Sequence, residues 1–449
     1  MNYPITSMKF WLNKDMQDNT PVFTCDGQAS LGLAKNRYKM KDTSIPANKF
    51  VLQANYADSS GVHNGGLQRM IQDTWYNASF DGEYKLRTEP QLFATSKTVT
   101  LEDGTVIGKN AQNKQWGDYF DKDFPYAIRT SADSVPCVVF YRNTAGDDRV
   151  TFLGQYVLME DKKSDFNYGE RSIYKASSSD PFCLTIAKKD DDTAANKIWD
   201  NSKVLRVEVL NINTLFSSYM SLVDGQNINF EDILYDNNDV PTSYRWEQDF
   251  ELIYPDPDDV AGDPLKGTDK FGANSKFLRT AQPFIDWYKW LVGTYHNQSK
   301  FEAEAAQHLD LYKLAAYYIF VLRFGLVDSL ERNAQLKTYD GQHWHYEPWD
   351  MDIALGNKNT GGIAFNPPID RNTTFPGSTS TYAISGRSGA NGSTTSNWLW
   401  DALEAWPQWV NIIVPTVAQA LYNAGLTYNN ATSIFDNEYA AKWCEILYN

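Results

Sequence analysis

Asp340-Gly341 interrupts two alternating runs, Gln335-Leu336-Lys337-Thr338-Tyr339 before it and Gln342-His343-Trp344-His345-Tyr346 after it. An Asp-Gly pair in that setting is the strongest short-range signal for a two-residue β-hairpin, because both central residues of the matching turn need positive φ. In the register this predicts, Asn333 lies opposite Pro348 and Asp350 opposite Glu331. Asn333 and Asp350 would then be diagonal neighbours about 7–8 Å apart.

Upstream of the hairpin, Leu309, Leu311, Leu314, Ala315, Tyr318, Ile319 and Leu322 predict a broadly apolar helix within a mainly helical stretch from Ala281 to Leu330. Such a helix belongs in a core, and it delivers Asp328 to a fixed place. Asp328 and Asn333 are five positions apart, and Trp349-Asp350-Met351-Asp352 follows the hairpin. A kinase-type site uses an Asp at the substrate hydroxyl, an Asn five residues on and a later Asp at the metals. The His-Arg that precedes the first Asp and the Phe-Gly that follows the last in protein kinases are replaced here. Hard oxygen donors of this kind suit magnesium. Taken alone, the segment fits an ordinary acidic hairpin end slightly better.

A chain of 449 residues exceeds one small core and predicts two lobes, or two to three domains. Hydrophobic residues at 42% and aromatic residues at 14% supply enough to bury. The formal charge of -15 argues against sequence-independent nucleic-acid binding, which needs Lys and Arg at phosphates. The four cysteines, Cys25, Cys137, Cys183 and Cys444, lack metal-binding spacing; their separation leaves room for one or two bridges, but they read more readily as buried or free thiols. The N-terminal residues lack the pattern of a signal peptide, and the longest apolar stretch, Leu314 to Leu322, is half a membrane span. One reading of the termini is a domain cut from a longer polypeptide.

Within the first 160 residues the pattern is strand-rich. A small-residue turn, Asp26 to Gly32, precedes Arg37-Tyr38-Lys39-Met40-Lys41, whose three basic side chains share one strand face. That face suits a triphosphate or, as the local sequence alone favours, a solvated edge strand. Phe50 to Asn55 and Phe152 to Glu160 read as strands. His63 to Tyr76 reads as a helix weakened by Gly65-Gly66, with a cap from the Asp58-Ser59-Ser60 segment. A polar run after Glu160 sets a lobe boundary near 160. Residues from about 357 to 397, rich in Gly, Ser, Thr, Asn and Pro, predict a flexible insertion, and Trp398 to Gly425 resumes helical packing. The acceptor-like triplets at Asn372 and Asn391 occur too readily by chance to carry weight. His343 and His345 share a face and read as packed or hydrogen-bonded, not as ligands, and Trp344 and Trp349 read as core.

Taken in order, several segments resemble the spore coat protein CotH family: Gly27-Gln28-Ala29-Ser30 before Arg37 to Lys41, Phe50 to Asn55 with Asp58 and Asn64, Gly154 to Glu160, Trp246 to Asp256, Gly325 to Asn333, and Trp349 to Gly356. The resemblance implies an α+β, two-lobed protein-kinase-like fold, with a β-rich N-terminal lobe over 1–160. A mainly helical C-terminal lobe over 161–449 would carry the catalytic-loop β-hairpin. It further implies transfer of the ATP γ-phosphate to Ser or Thr hydroxyls of a protein partner. Asp328 would orient or deprotonate the hydroxyl, Asn333 and Asp350 would hold Mg2+, and Asp352 would be a second metal or structural carboxylate. Lys39 or Lys41 would contact phosphates, the loop with Gly27, Gln28 and Ser30 would cover the nucleotide, and Glu160 would lie near the adenine.

Two positions depart from the family's pattern. His63 stands where an Arg is usual, and the helix through Tyr76 has no Glu, leaving Gln68 or Asp73 as a poor partner for the lysine. Phosphoryl transfer relies on positioning and charge stabilisation, so such a loss could lower the rate greatly. The alternative expectation is therefore a weak or inactive CotH-like structural or attachment module of a coat, cell surface or virus particle. The partner is then a protein in a larger assembly, and the expected setting is surface-, spore-coat- or virion-associated. A third reading, paired carboxylates acting on a sugar, rests only on Asp350 and Asp352 lying two apart.

Overall fold

The computed structural model describes residues 8–11, 40, 49–54, 58, 61–82, 86, 98–100, 106–108, 131–141, 149, 151–162, 172–177, 180–187, 205–209, 250–254, 276–294, 297–326, 329, 334–355, 357, 398–442 and 445. The chain divides into two compact units, one formed by 1–202, 359–361 and 422–449, the other by 203–358 and 362–421. Helices and sheets are both present, so the class is α+β.

In the first unit, β1 (Met8–Trp11), β2 (Lys49–Gln53), β5 (Ser134–Tyr141) and β6 (Thr151–Glu160) form an antiparallel sheet in the order β1-β2-β6-β5. Two further hairpins pair β3 (Thr98–Thr100) with β4 (Val106–Gly108) and β7 (Ser172–Ser177) with β8 (Asp180–Ala187). The register between β5 and β6 shifts by one residue beside Gly154, whose φ of 145° no β-carbon-bearing residue adopts comfortably.

Helix α1 (His63–Asn77) starts where Asp58 accepts the His63 backbone N–H at 2.7 Å. The acid expected as a cap thus serves from outside the helix. Gly65 and Gly66 are where α1 meets the C-terminal segment: a β-carbon on Gly65 would sit 2.4 Å from the Tyr439 ring, and one on Gly66 would sit 2.4 Å from Phe435. The pair that weakens helix propensity is the pair that permits this approach. Tyr439 belongs to a π-helical stretch, Ile434–Ala440, and its hydroxyl lies 2.8 Å from Ser134 Oγ.

The second unit is built on a sheet ordered β10-β9-β11-β12, from β9 (Leu205–Val209), β10 (Phe250–Tyr254), β11 (Ala334–Thr338) and β12 (Trp344–Pro348). Around it lie α2 (Lys276–Gly293), α3 (Gln298–His308), α4 (Leu311–Phe324) and α5 (Trp398–Ala405). A π-helical turn, Trp409–Ile413, leads into α6 (Val414–Asn423). One sheet face is closed by aromatic packing. Trp344 meets Phe284 and Trp287 with ring centroids 5.9 and 5.7 Å apart, and Tyr346 stacks on Tyr317 and Trp400 at 5.3 and 5.6 Å. These rings are all essentially buried, and such pairs add to the value of their buried area.

The hairpin is present, but one residue out of the expected register. Ala334, not Asn333, faces Pro348, and Gln335 faces Glu347. Asp340 is the physical reason. Its Oδ1 accepts from the backbone N–H groups of Gln342 and His343, each at 2.8 Å, and from the Thr338 hydroxyl at 3.1 Å. Satisfying three donors with one side chain needs a wider loop than a two-residue turn, with Gly341 alone at positive φ, 80°. The diagonal spacing inferred for Asn333 and Asp350 from the two-residue turn therefore no longer holds.

Candidate active site

Helix α4 fixes where the candidate segment begins. Asp310 caps its N-terminus by accepting from the Lys313 backbone N–H at 3.1 Å, and Gly325 ends it in the left-handed conformation, φ 61°. Beyond that cap, Leu326 N–H bonds to the Val321 carbonyl at 3.0 Å and Ser329 N–H to the Leu326 carbonyl at 3.1 Å. The buried Tyr317 hydroxyl donates to the Ser329 carbonyl. Asp328 itself, like Asn333, lies outside the described residues, yet the chain beside it is tied to α4.

After β12 the chain runs through Asp350 and Asp352, which are partly exposed, while Met351 is fully buried and Ile353 nearly so. Burial of the two apolar residues anchors the segment and leaves the two carboxylates at the surface of the unit. Leu355 then adopts φ 55° and donates its N–H to the Phe324 carbonyl at 2.7 Å. This hydrogen bond brings the end of the Asp350–Asp352 segment to the end of α4, four residues before Asp328 in the chain. Two carboxylates on such a segment fit a magnesium nucleotide, because magnesium commonly takes one or two protein carboxylates and completes its shell with phosphate and water. Among the described residues no group of three or more His, Cys, Asp or Glu side chains could hold a metal by itself.

Residues 225–427 match the protein-family model described as CotH kinase protein. Over that stretch the sequence is similar to the CotH kinase family. The match spans the α2–α6 helices and the whole hairpin with Asp350 and Asp352, within the second unit except for 359–361 and 422–427. That similarity suggests a kinase-related function and, in general terms, nucleotide and metal use. No curated protein matches the chain.

The remaining candidates belong to the first unit. Gly27, Gln28, Ser30, Lys39 and Lys41 lie outside the described residues, as do the insertion residues from 358 to 397. Glu160 ends β6 fully buried, and its Oε2 accepts from the Asp133 backbone N–H at 3.3 Å. On α1, Gln68 is equally buried and its Oε1 accepts from Ala132 N–H at 3.0 Å, while Asp73 pairs with Arg69 at 3.2 Å. His63 lies 3.8 Å from Asp58 through its Nδ1. No helix among the described residues is long and apolar enough to cross a membrane.

Of the two hairpin histidines, His343 Nδ1 is 2.6 Å from Asp340 Oδ2, and His345 is buried with Nε2 3.4 Å from Glu347 Oε1. Sequence reading overlooked the neighbours of His345. Arg206, Gln335, Lys337 and Glu347 are all buried to 2% exposure or less. Their signal was present as polar residues at every second position, Gln335 and Lys337 on one strand and His345 and Glu347 on the next.

Proposed function

We propose that the CotH-like domain binds Mg·ATP and transfers its γ-phosphate to Ser or Thr hydroxyls of a protein partner. The observation that carries this reading is the Leu355 N–H bond to the Phe324 carbonyl, which joins the Asp350–Asp352 segment to the helix end that leads to Asp328. Asp328 accepts the hydroxyl proton, Asn333 and Asp350 hold the metal, and Asp352 serves as a second metal or structural carboxylate. Magnesium bound there would neutralise charge on the phosphates. The chain's own contribution is to orient the hydroxyl and take its proton.

The test is transfer of label from γ-labelled ATP to the chain itself or to Ser-rich protein acceptors. Transfer that requires magnesium and disappears in Asp328→Asn supports the reading. Equal labelling of the wild type and the variant contradicts it.

A second reading is favoured by α1. Gln68 and Asp73 already serve Ala132 and Arg69, so neither is held ready for a lysine. A weakly active or inactive domain kept for attachment within a coat, surface or virus particle fits that arrangement. It predicts incorporation into a large particle by a variant that transfers no phosphate.

A further inference from the structure

The ladder registers place Gln335 opposite both Glu208 and Glu347, and Lys337 opposite both Arg206 and His345. Residues directly opposite in an antiparallel sheet point the same way. One face of β9, β11 and β12 therefore carries Arg206, Glu208, Gln335, Lys337, His345 and Glu347, none more than 6% exposed. The other face carries Val207, Ala334, Leu336, Trp344 and Tyr346, also buried. Arg206 Nη1 donates to Gln335 Oε1 at 2.7 Å, and Lys337 Nζ lies 3.4 Å from Glu347 Oε2. Lys337 also sits 4.6 Å from the centroid of the Tyr339 ring, which stacks on His345.

A sheet buried on both faces by apolar residues would tolerate a slip of its strands. Here a one-residue slip would carry Lys337 or Glu347 into the Trp287–Tyr317–Trp400 side, leaving a bare charge among rings. Buried ion pairs are poor stabilisers compared with apolar residues of the same size, and fixing a register is their best-attested use. Lys337 and Glu347 form a diagonal across the hairpin, and a one-residue slip would part them onto opposite faces of the sheet. The strands they join start one residue after Asn333 and end two residues before Asp350.

We propose that Lys337 and Glu347 are a positioning pair that locks the hairpin register and so places Asp350 for the metal nucleotide. The last step rests on the function proposed above. The locking step does not, and the two can be separated.

The experiment compares the full chain with the Lys337→Met/Glu347→Met double variant and with Glu347→Gln. It reads thermal midpoint, hydrogen exchange of peptides covering residues 349–355 without ligand, and the magnesium concentration that half-saturates ATP binding. The double variant is expected to fold with a midpoint no lower than that of the wild type. Its 349–355 exchange should be faster, and its half-saturating magnesium raised about tenfold or more, as for lost support around metal ligands. A folded double variant with wild-type exchange and magnesium dependence overturns the proposal. Should the double variant fail to fold, Glu347→Gln decides: faster exchange at 349–355 supports the locking role, and unchanged exchange overturns it. If the wild type binds no Mg·ATP, the nucleotide reading fails, while faster exchange in the variants still upholds the locking role.

Discussion

Leu355 donates its backbone N–H to the carbonyl of Phe324 at 2.7 Å, from a left-handed conformation that a leucine rarely adopts. The bond closes the stretch that leaves α4, passes through the hairpin and returns past Asp350 and Asp352. Leu355→Gly should keep the bond and relieve the backbone, changing stability by no more than about 1 kcal/mol. Leu355→Pro removes the donor and cannot reach that φ, so a loss of about 3 kcal/mol or more is expected. Urea melts of the two variants make the comparison, and equal losses would remove this hydrogen bond from the account.

Gly65 and Gly66 should resist replacement although alanine is the better helix former. The clash of a β-carbon with the rings of Tyr439 and Phe435 predicts that Gly65→Ala and Gly66→Ala each cost about 1–3 kcal/mol. Asn77→Ala, at an exposed position on the same helix, should be neutral or slightly stabilising. Chemical denaturation of the three variants gives the answer, and stabilisation by either glycine replacement would contradict the packing.

Asp340 organises the hairpin loop through three accepted hydrogen bonds, and its carboxyl titrates below the ordinary range: burial pushes it up, but the bonds from His343 and Gln342 outweigh burial. Asp340→Ala should cost about 2 kcal/mol, and Asp340→Asn less, since the amide oxygen still accepts. Thermal melts at neutral pH measure both.

His345 gives the buried face a pH dependence. Burial holds its pKa below the ordinary 6.5, with Lys313 adding to the effect and Glu347 and Asp310 opposing it. As pH falls below about 6.5, the unfolded chain takes up a proton that the folded chain refuses, so stability declines with acidification. Glu347 acts in the same direction at lower pH. Burial raises its pKa, Lys337, His345 and Arg206 together outweigh this, and its contribution is lost as pH falls through that depressed value. The thermal midpoint should therefore be lower at pH 5.5 than at pH 7.5, and His345→Gln should flatten that difference. An unchanged slope in the variant would assign the pH dependence elsewhere.

Much of this was readable from residue order. The α1 helix, the β2 and β6 strands, the helical stretch around α4 and the hairpin all follow from periodicity and turn residues. The hairpin register did not follow, because an Asp-Gly pair does not reveal that the Asp side chain will gather three donors and widen the loop. The Gly65-Gly66 pair read as a weakness because its reason, Tyr439 and Phe435, lies more than 360 residues away in the chain. The charged face was hidden for a related cause. Arg206 and Glu208 reach Lys337 and Gln335 only through a strand pairing that local pattern cannot specify. The order of Asp328, Asn333 and Asp350 is plain in the sequence, but Asp328 and Asn333 lie outside the described residues, so their role stays a proposal.

The most direct measurement is calorimetric titration of the chain with ATP, with and without magnesium, alongside Asp350→Ala. The account predicts saturable binding that needs magnesium and is lost in the variant while its fold and thermal midpoint are retained. Binding that is absent from the wild type, or identical in the variant, would contradict a nucleotide site built on Asp350.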